Sequence, residues 1–332
     1  MRTQLTYRGY GAQQPGLSRR DLLRQSAVGF GSLALAGLLG NHAVSEQSHA
    51  PSLLERAPHF APRAKRIIFL FMHGGPSQID TFDYKPQLAK DDNKPVPFNK
   101  PRVVSGATGN LLKSPFRFKQ HGESGFYVSE LFPHVSKLVD ELCFINSVHG
   151  SNSRHGAALL ELHTGSDTFI RPSMGSWLSY GLGSENQNLP GYITICPSLT
   201  HGGANNWGAA FLPAIYQGTP VGNAATESMN AKIPFIQGTT SAGMQRLELE
   251  LLNQINRKRL AEVGPDLELE SRIESFELAF RLQSEAPSIQ DISDESQKTL
   301  RMYGIDKGPT KDFGRQCLMA RRFAEKGVRF IQ

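Results

Sequence analysis

The sequence predicts an α/β protein built on a covered, mostly parallel sheet flanked by helices. Three observations carry that reading. Ile67 to Met72 is an unbroken apolar run between Lys65-Arg66 and Gly74-Gly75-Pro76, the pattern of a strand buried on both faces. Residues 129–148 read as a helix and then a second apolar run, completing a β–loop–α–β unit. The last stretch, "QCLMARRFAEKGVRFIQ", reads as a helix, a stop at Gly327 and the opening of another buried strand.

The chain has 332 residues, enough for one large domain or two small ones with a substantial core. Its formal net charge is +6, and half of that comes from residues 1–50, where Arg2, Arg8, Arg19, Arg20 and Arg24 face only Asp21 and Glu46. No stripe of Lys and Arg with interleaved aromatics runs along the rest, so the composition argues against nucleic acid as a partner. Cys143, Cys196 and Cys317 stand far apart with no CxxC pair, and buried thiols are the expectation.

"LSRRDLLRQSAVGFGSLALAGLLG" joins the pair Arg19-Arg20 to an uncharged stretch from Ser26 to Gly40. That stretch is shorter than the roughly 20 apolar residues a membrane span needs, so residues 1–45 read as a twin-arginine signal peptide. Its partner is the Tat translocase and its destination the periplasm or the medium. Residues 46–64, rich in Ala, Pro, Ser and His, read as a linker. Residues 65–332 are the α/β domain.

Along that domain, Ile67 to Met72 is the first strand and "KPQLAKDDNKPVPFNKPRVV" a long polar loop. A helix is expected over Ser129 to Asp140 and a strand over Leu142 to Val148. "SRHGAALLELHTG" reads as a helix stopped by Gly165, "MGSWLSYGLG" as a short helix and Tyr192 to Cys196 as a strand. Pro197 to Gln237 is loop-rich. Residues 242–286 carry Leu247, Leu251 and Ile255, then Ile273, Phe276 and Phe280, at near-helical spacing, and read as a helical insertion ending its first helix at Gly264-Pro265. Because chains seldom stop inside a buried strand, the ending at Gln332 predicts the N-terminal part of a longer protein or a truncated gene.

Two stretches carry chemistry. In open α/β sheets, ligands sit beyond the carboxyl ends of the strands, and His73 lies immediately past such an end. Asp80 and Asp83 follow, giving the nitrogen and oxygen donors that zinc and manganese accept. A tight His-Gly-Gly turn with helix-capping aspartates is the alternative. The second stretch, "SVHGSNSRHGAALLELHTG", puts His149, Asn152, Ser153, Arg154 and His155 around a helix start. Free N–H groups there receive oxyanions, Arg154 adds a bidentate grip, and Ser153 is a candidate nucleophile. The competing reading is a helix cap formed by Asn152 or Ser153. "THGGANNWG", with His201 and Trp207, reads either as a substrate-facing loop or as a glycine-rich connector. His163 reads as a packed helix-end histidine. Cys196-Pro197-Ser198 lacks the following Arg of a sulfatase nucleophile signature.

The leader, "IIFLFMHGGPSQIDTFDYKP", "VSELFPHVSKLVDELCFINSVHGSNSRHGAALLELHTG", "RPSMGSWLSYGLGSENQNLPGYITI" and "WGAAFLPAIYQGT" together resemble an exported bacterial family catalogued as domain of unknown function 1501. The resemblance runs over roughly residues 18–332, with several long segments in order. It implies a branch of the alkaline phosphatase and sulfatase superfamily, hence a doubly wound, mostly parallel sheet with a metal-dependent hydrolase site at the strand carboxyl ends, C-terminally incomplete here. His73 stands where that superfamily places its first metal-binding acid, and Asn152–His155 where it places the nucleophile. Both depart from the pattern: His73 replaces an Asp, and neither Cys nor Ser occupies the usual nucleophile context. The superfamily's remaining ligands would come from beyond Gln332.

The expectation is an exported sulfatase-like metallohydrolase of phosphate or sulfate esters, incomplete or inactive as this chain, whose substrates would be small molecules or polysaccharides. Its metal ligands are His73, Asp80 and His155, its catalytic residues Ser153 and Arg154, and its cofactor a divalent metal (zinc, manganese or calcium). The rival is a non-catalytic exported binding or scaffold protein that retains the fold. A third reading is an envelope protein anchored by an uncleaved leader.

Overall fold

The computed structural model describes residues 52–99, 107–234, 236–238, 240–264 and 266–332. The signal peptide expected over 1–45 and the first part of the linker lie outside the described residues. Among those described, no helix is long and apolar enough to cross a membrane.

Four strands form one parallel sheet: β1 (Ile67–Ile68), β4 (Tyr192–Ile195), β5 (Thr219–Val221) and β6 (Phe330–Ile331), in the order β1-β6-β4-β5. Two further strands, β2 (Phe118–His121) and β3 (Phe126–Ser129), make a separate antiparallel hairpin. Side chains alternate across the parallel sheet as a period of two requires. Ile193, Val221 and Ile331 point to one face, where they meet Leu282, Ala286 and Ile289 from helix α5 (Leu267–Gln290) and Ala320 and Phe323 from α7 (Lys311–Glu325). Tyr192 and Phe330 point to the other face, with Trp207 and Phe69. There α3 (Met174–Leu182) lies so close that a Cβ on Gly175 would stand 2.6 Å from the Tyr192 ring and 2.7 Å from that of Phe330. Helices therefore flank a parallel sheet, the coarse architecture the sequence predicts.

Three expected elements are corrected. The run Ile67 to Met72 is not a long buried strand. It hydrogen-bonds to β6 only from Ile67 to Phe69 and then turns away, Phe71 N–H donating to Phe69 O at 3.0 Å. As the sheet's edge strand it leaves Leu70 60% and Met72 48% exposed. The helix expected from Ser129 to Asp140 starts later and tighter, as a 3₁₀ helix over Val135–Glu141. Pro133 disfavours helical backbone at Phe132, and Ser129 is taken by β3. No strand forms over Leu142 to Val148. Phe144 instead stacks on Phe126 of the hairpin, ring centroids 3.8 Å apart, and Ile145 and Val148 are exposed. The hairpin turn itself is closed by the Asp140 carboxylate, which accepts from the N–H groups of Glu123 (2.8 Å) and Ser124 (2.9 Å).

The remaining elements lie where expected: α2 (His155–Thr164), ended by Gly165 at φ 76°, then α3, β4, and α4 (Ala242–Val263) paired with α5. Between α5 and α7 lies the short α6 (Gln297–Met302), and between β1 and β2 the five-residue α1 (Pro86–Lys90). α4 buries no residue, whereas α5 is part of the core. The end of the linker is docked rather than free. Leu53 is buried beside Ile215, Tyr216 and Leu278, and the Tyr216 hydroxyl bonds both N–H and C=O of Ser52 (3.1 and 3.2 Å). Cys196 and Cys317 are half-buried free thiols; Cys143, against expectation, is exposed.

Candidate functional site

The parallel strands run their carboxyl ends to one rim. Beyond β1 the chain passes Phe69, Phe71 and Met72 to His73, and Gly74 follows at φ 99°. Beyond β4 it kinks at Cys196 (φ 48°). The loop after β4 then makes three successive left-handed residues, His201 (φ 51°), Gly202 (φ 101°) and Gly203 (φ 54°). Such backbone is costly for a residue with a side chain, less so for histidine than for β-branched types. At Gly202 a Cβ would also stand 2.8 Å from Asn206 Oδ1. The Asn206 amide holds the turn by donating to His201 O at 3.1 Å.

This turn brings three imidazoles from three distant segments into a row. The His201 ring lies 5.9 Å from that of His73 and 5.5 Å from that of His155, centroid to centroid. The start of α2 packs directly on the turn, Gly156 facing His201 Cα. His73 and His155, both singled out by the sequence, are thus neighbours of one common residue, and that residue is the histidine of the stretch equally readable as a connector.

Arg154 occupies the N-cap position of α2 with extended backbone, and no side chain caps the helix. Its N–H is held by Asn152 Oδ1 (2.9 Å), and Asn152 Nδ2 donates to Asp167 (3.0 Å), whose carboxyl this bond holds below its usual range. Asn152 therefore shapes the approach to the helix, while the Ser153 and Arg154 side chains are exposed and without hydrogen-bond or ion-pair partners among the described residues. Ser151 and the Glu161 carboxylate close the same loop.

Asp80 sits in a 3₁₀ turn, Gln78–Asp80, and Asp83 pairs with Lys85 at 2.8 Å. Among the described residues, no three His, Cys, Asp or Glu side chains stand close enough to share a metal ion. Imidazole is suitable chemistry for zinc, but the described donors do not close a coordination shell.

Behind His73 the rim opens into a cavity of about 670 Å³ between β1, α2 and α7, reached by Leu159, Asn206, Trp207, Phe313 and Cys317. His163 lies in its wall, 3% exposed, edge-on to the rings of Phe71 (4.8 Å) and Phe69 (5.7 Å). It is the packed histidine the sequence suggested. Burial pulls its pKa down from 6.5 to about 4. Between those values the unfolded chain binds a proton that the folded chain refuses, so stability falls as pH falls through that window, on the order of 1 kcal/mol per pH unit. Urea unfolding at pH 7.5 and 5.5 is expected to show this loss, and His163→Leu to remove most of it. A second cavity, about 780 Å³, lies beside α5 and is lined in part by Lys232, Arg246, Arg281 and Arg315.

An α/β protein with its polar side chains gathered at the carboxyl rim of a parallel sheet is the class these features define. Within that class, residues 64–332 match the family described as a protein of unknown function, DUF1501, and the chain belongs to it. Neither a curated protein nor a solved structure matches the chain.

Proposed function

We propose that this chain is an exported sulfatase-like hydrolase of phosphate or sulfate esters, with the alkaline phosphatase/sulfatase arrangement of its sheet. One observation supports it above the others: His73, His201 and His155 form a row at the carboxyl rim, against an uncapped helix start that carries Ser153 and Arg154. In this reading the ester's anionic oxygens are received by Arg154 and the first N–H groups of α2. Ser153 attacks phosphorus or sulfur, and an imidazole of the row takes the hydroxyl proton and passes it to the departing alcohol as the ester bond breaks. Water, deprotonated by the same imidazole, then cleaves the seryl ester, releasing phosphate or sulfate and restoring Ser153. Zinc, manganese or calcium remains the implied cofactor. Because the described donors do not close a site for it, no step is routed through a metal.

The failure of those donors to converge favours the second reading, an exported protein that binds such anions without cleaving them. Both are tested on the full chain with aryl phosphate and sulfate esters, followed by turnover and by isothermal titration with inorganic phosphate and sulfate. Turnover is expected, lowered about 10²–10³-fold in His201→Ala and in Ser153→Ala. Saturable anion binding without turnover selects the binding protein, and the absence of both turnover and binding rejects both readings. Binding is expected to survive chelator and to weaken about tenfold in Arg154→Met. Export is read from Arg19→Lys/Arg20→Lys, which is expected to retain the protein inside the cell with its leader uncleaved.

A further inference from the structure

The cavity behind His73 has a property the ester site does not use. Although 21 residues line it, none is Asp, Glu, Lys or Arg. Burial also holds the His163 imidazole of the wall unprotonated near neutrality and pushes the Cys196 thiol up to about 11. The turned-away part of the apolar run, Leu70 and Met72, is both exposed and part of this wall. Its aromatic surface comes from Phe69, Phe71 and Trp207. The volume, about 670 Å³, falls in the range of pockets that enclose a small molecule.

The polar groups inside are few, and several are spent. Gln332 Oε1 accepts from the Tyr192 hydroxyl at 2.6 Å, and Ser198 Oγ pairs with Thr200 at 2.7 Å. Asn206 is the exception. The residue is 4% exposed, its Nδ2 holds His201 O, and its Oδ1 is buried with no hydrogen-bond partner. A buried acceptor left unpaired costs on the order of 1–3 kcal/mol, which a bound donor would recover.

We propose that this cavity binds an uncharged, ring-sized apolar group bearing one hydroxyl or amide donor, rather than a sugar. A saccharide brings a hydroxyl on almost every carbon, and each needs a partner once buried; this wall offers too few. A charged group inside is disfavoured because the wall holds no Asp, Glu, Lys or Arg side chain to pair with it. Where the molecule also carries an anion the inference rests on the ester reading: the ring fills the cavity, and the anion stays at the rim, beside His73. That selects apolar-tailed esters over polysaccharide esters.

The chain contains two tryptophans, Trp177 and Trp207. Trp177→Phe leaves Trp207, in the cavity wall, as the sole reporter. Titration of that variant with 2-phenylethanol is expected to give a saturable change in emission with Kd of about 1 mM or tighter, and glucose none. Met72→Glu, which puts a charge at a half-exposed wall position, and Ala224→Phe, which fills space from an exposed loop position, are each expected to weaken binding at least tenfold with unchanged circular dichroism and Tm. No saturable change, an equal response to glucose, or unaltered binding in both variants overturns the proposal. Two arms separate it from the ester reading. If 2-phenylethanol binds while 2-phenylethyl phosphate and sulfate are neither cleaved nor held more tightly, the ester reading fails and the cavity assignment stands. If glucose 6-phosphate is cleaved and 2-phenylethanol does not bind, the cavity assignment fails and the ester reading stands.

Discussion

Phe323→Ala is expected to destabilise the protein by about 3–5 kcal/mol, the range for emptying a fully buried aromatic site. Phe323 is 0% exposed and sits where α7 meets the sheet, in one cluster with Ile193, Ile331, Ala286 and Ile289. Neighbours from a rigid parallel sheet on one side and two helices on the other have little freedom to collapse into the space. Its main chain is committed too: Phe323 O accepts from Val328 N–H at 3.1 Å, fixing the turn that leads from α7 into β6. Against a typical total of about 5–15 kcal/mol, a loss of this size unfolds a large share of molecules under mild heating. Urea denaturation followed by far-ultraviolet circular dichroism measures it. The midpoint is expected to fall at unchanged slope, and Phe323→Leu to cost less than half as much. Equal stabilities of the wild type and Phe323→Ala would show that this cluster does not govern global unfolding.

That cluster also shows what a single sequence makes legible. Helix α2 could be read because Leu159 and Leu160 fall four and three residues before His163, making one buried face, and Gly165 stops it; β4 could be read because Tyr192–Ile195 is short, rich in β-branched residues and mostly apolar. These are local signals. The run Leu142 to Val148 carries the same local signal as β4 and forms no strand, because its fate is decided by Phe144 stacking on Phe126, a contact set by the hairpin. The first strand was identifiable, but its burial was not. Ile67 pairs with Phe330, across almost the whole domain, and nothing near residue 67 reveals that β1 is an edge.

The site divides in the same way. His73 and His155 could be chosen from their own surroundings, one past a strand end and the other at a helix start. His201 could not be ranked above a connector residue, because its importance comes from a left-handed turn that places it between the other two. Asp80, seven residues from His73 in the sequence, lies in its own 3₁₀ turn, Gln78–Asp80. The cavity was not legible at all, since its wall is assembled from β1, β4, α2, α7 and the end of β6.

Arg329→Met is expected to cost about 2–4 kcal/mol, although Arg329 lies far from the histidine row and carries no chemistry there. An arginine inside "KGVRFIQ" looks like a defect in a buried strand. The structure gives it work at 9% exposure: Nε donates to Gly183 O at 2.7 Å, Nη1 to Lys65 O at 3.3 Å, and Nη2 to Leu182 O and Glu55 Oε1, both at 3.4 Å. The guanidinium thus sits at the C-terminus of α3, where a cation is favoured by the unpaired carbonyls and the helix dipole. It also ties the incoming segment before β1 to β6. Glu55 contributes little to this, because its side chain is 60% exposed and such pairs are worth under about 1 kcal/mol. The cost comes from carbonyls losing charge-assisted bonds of about 1.5–3 kcal/mol where water enters poorly. Lysine, a single point donor, cannot serve carbonyls lying in different directions, so Arg329→Lys is expected to recover less than half of the loss. Glu55→Ala is expected to stay within about 1 kcal/mol of wild type. Hydrogen exchange localises the effect: Ser184 N–H, bonded to Leu53 O at 2.8 Å, is expected to lose protection in Arg329→Met before the amides of β4 do. Uniform loss across both would mean that Arg329 acts on the whole fold rather than on the junction it holds.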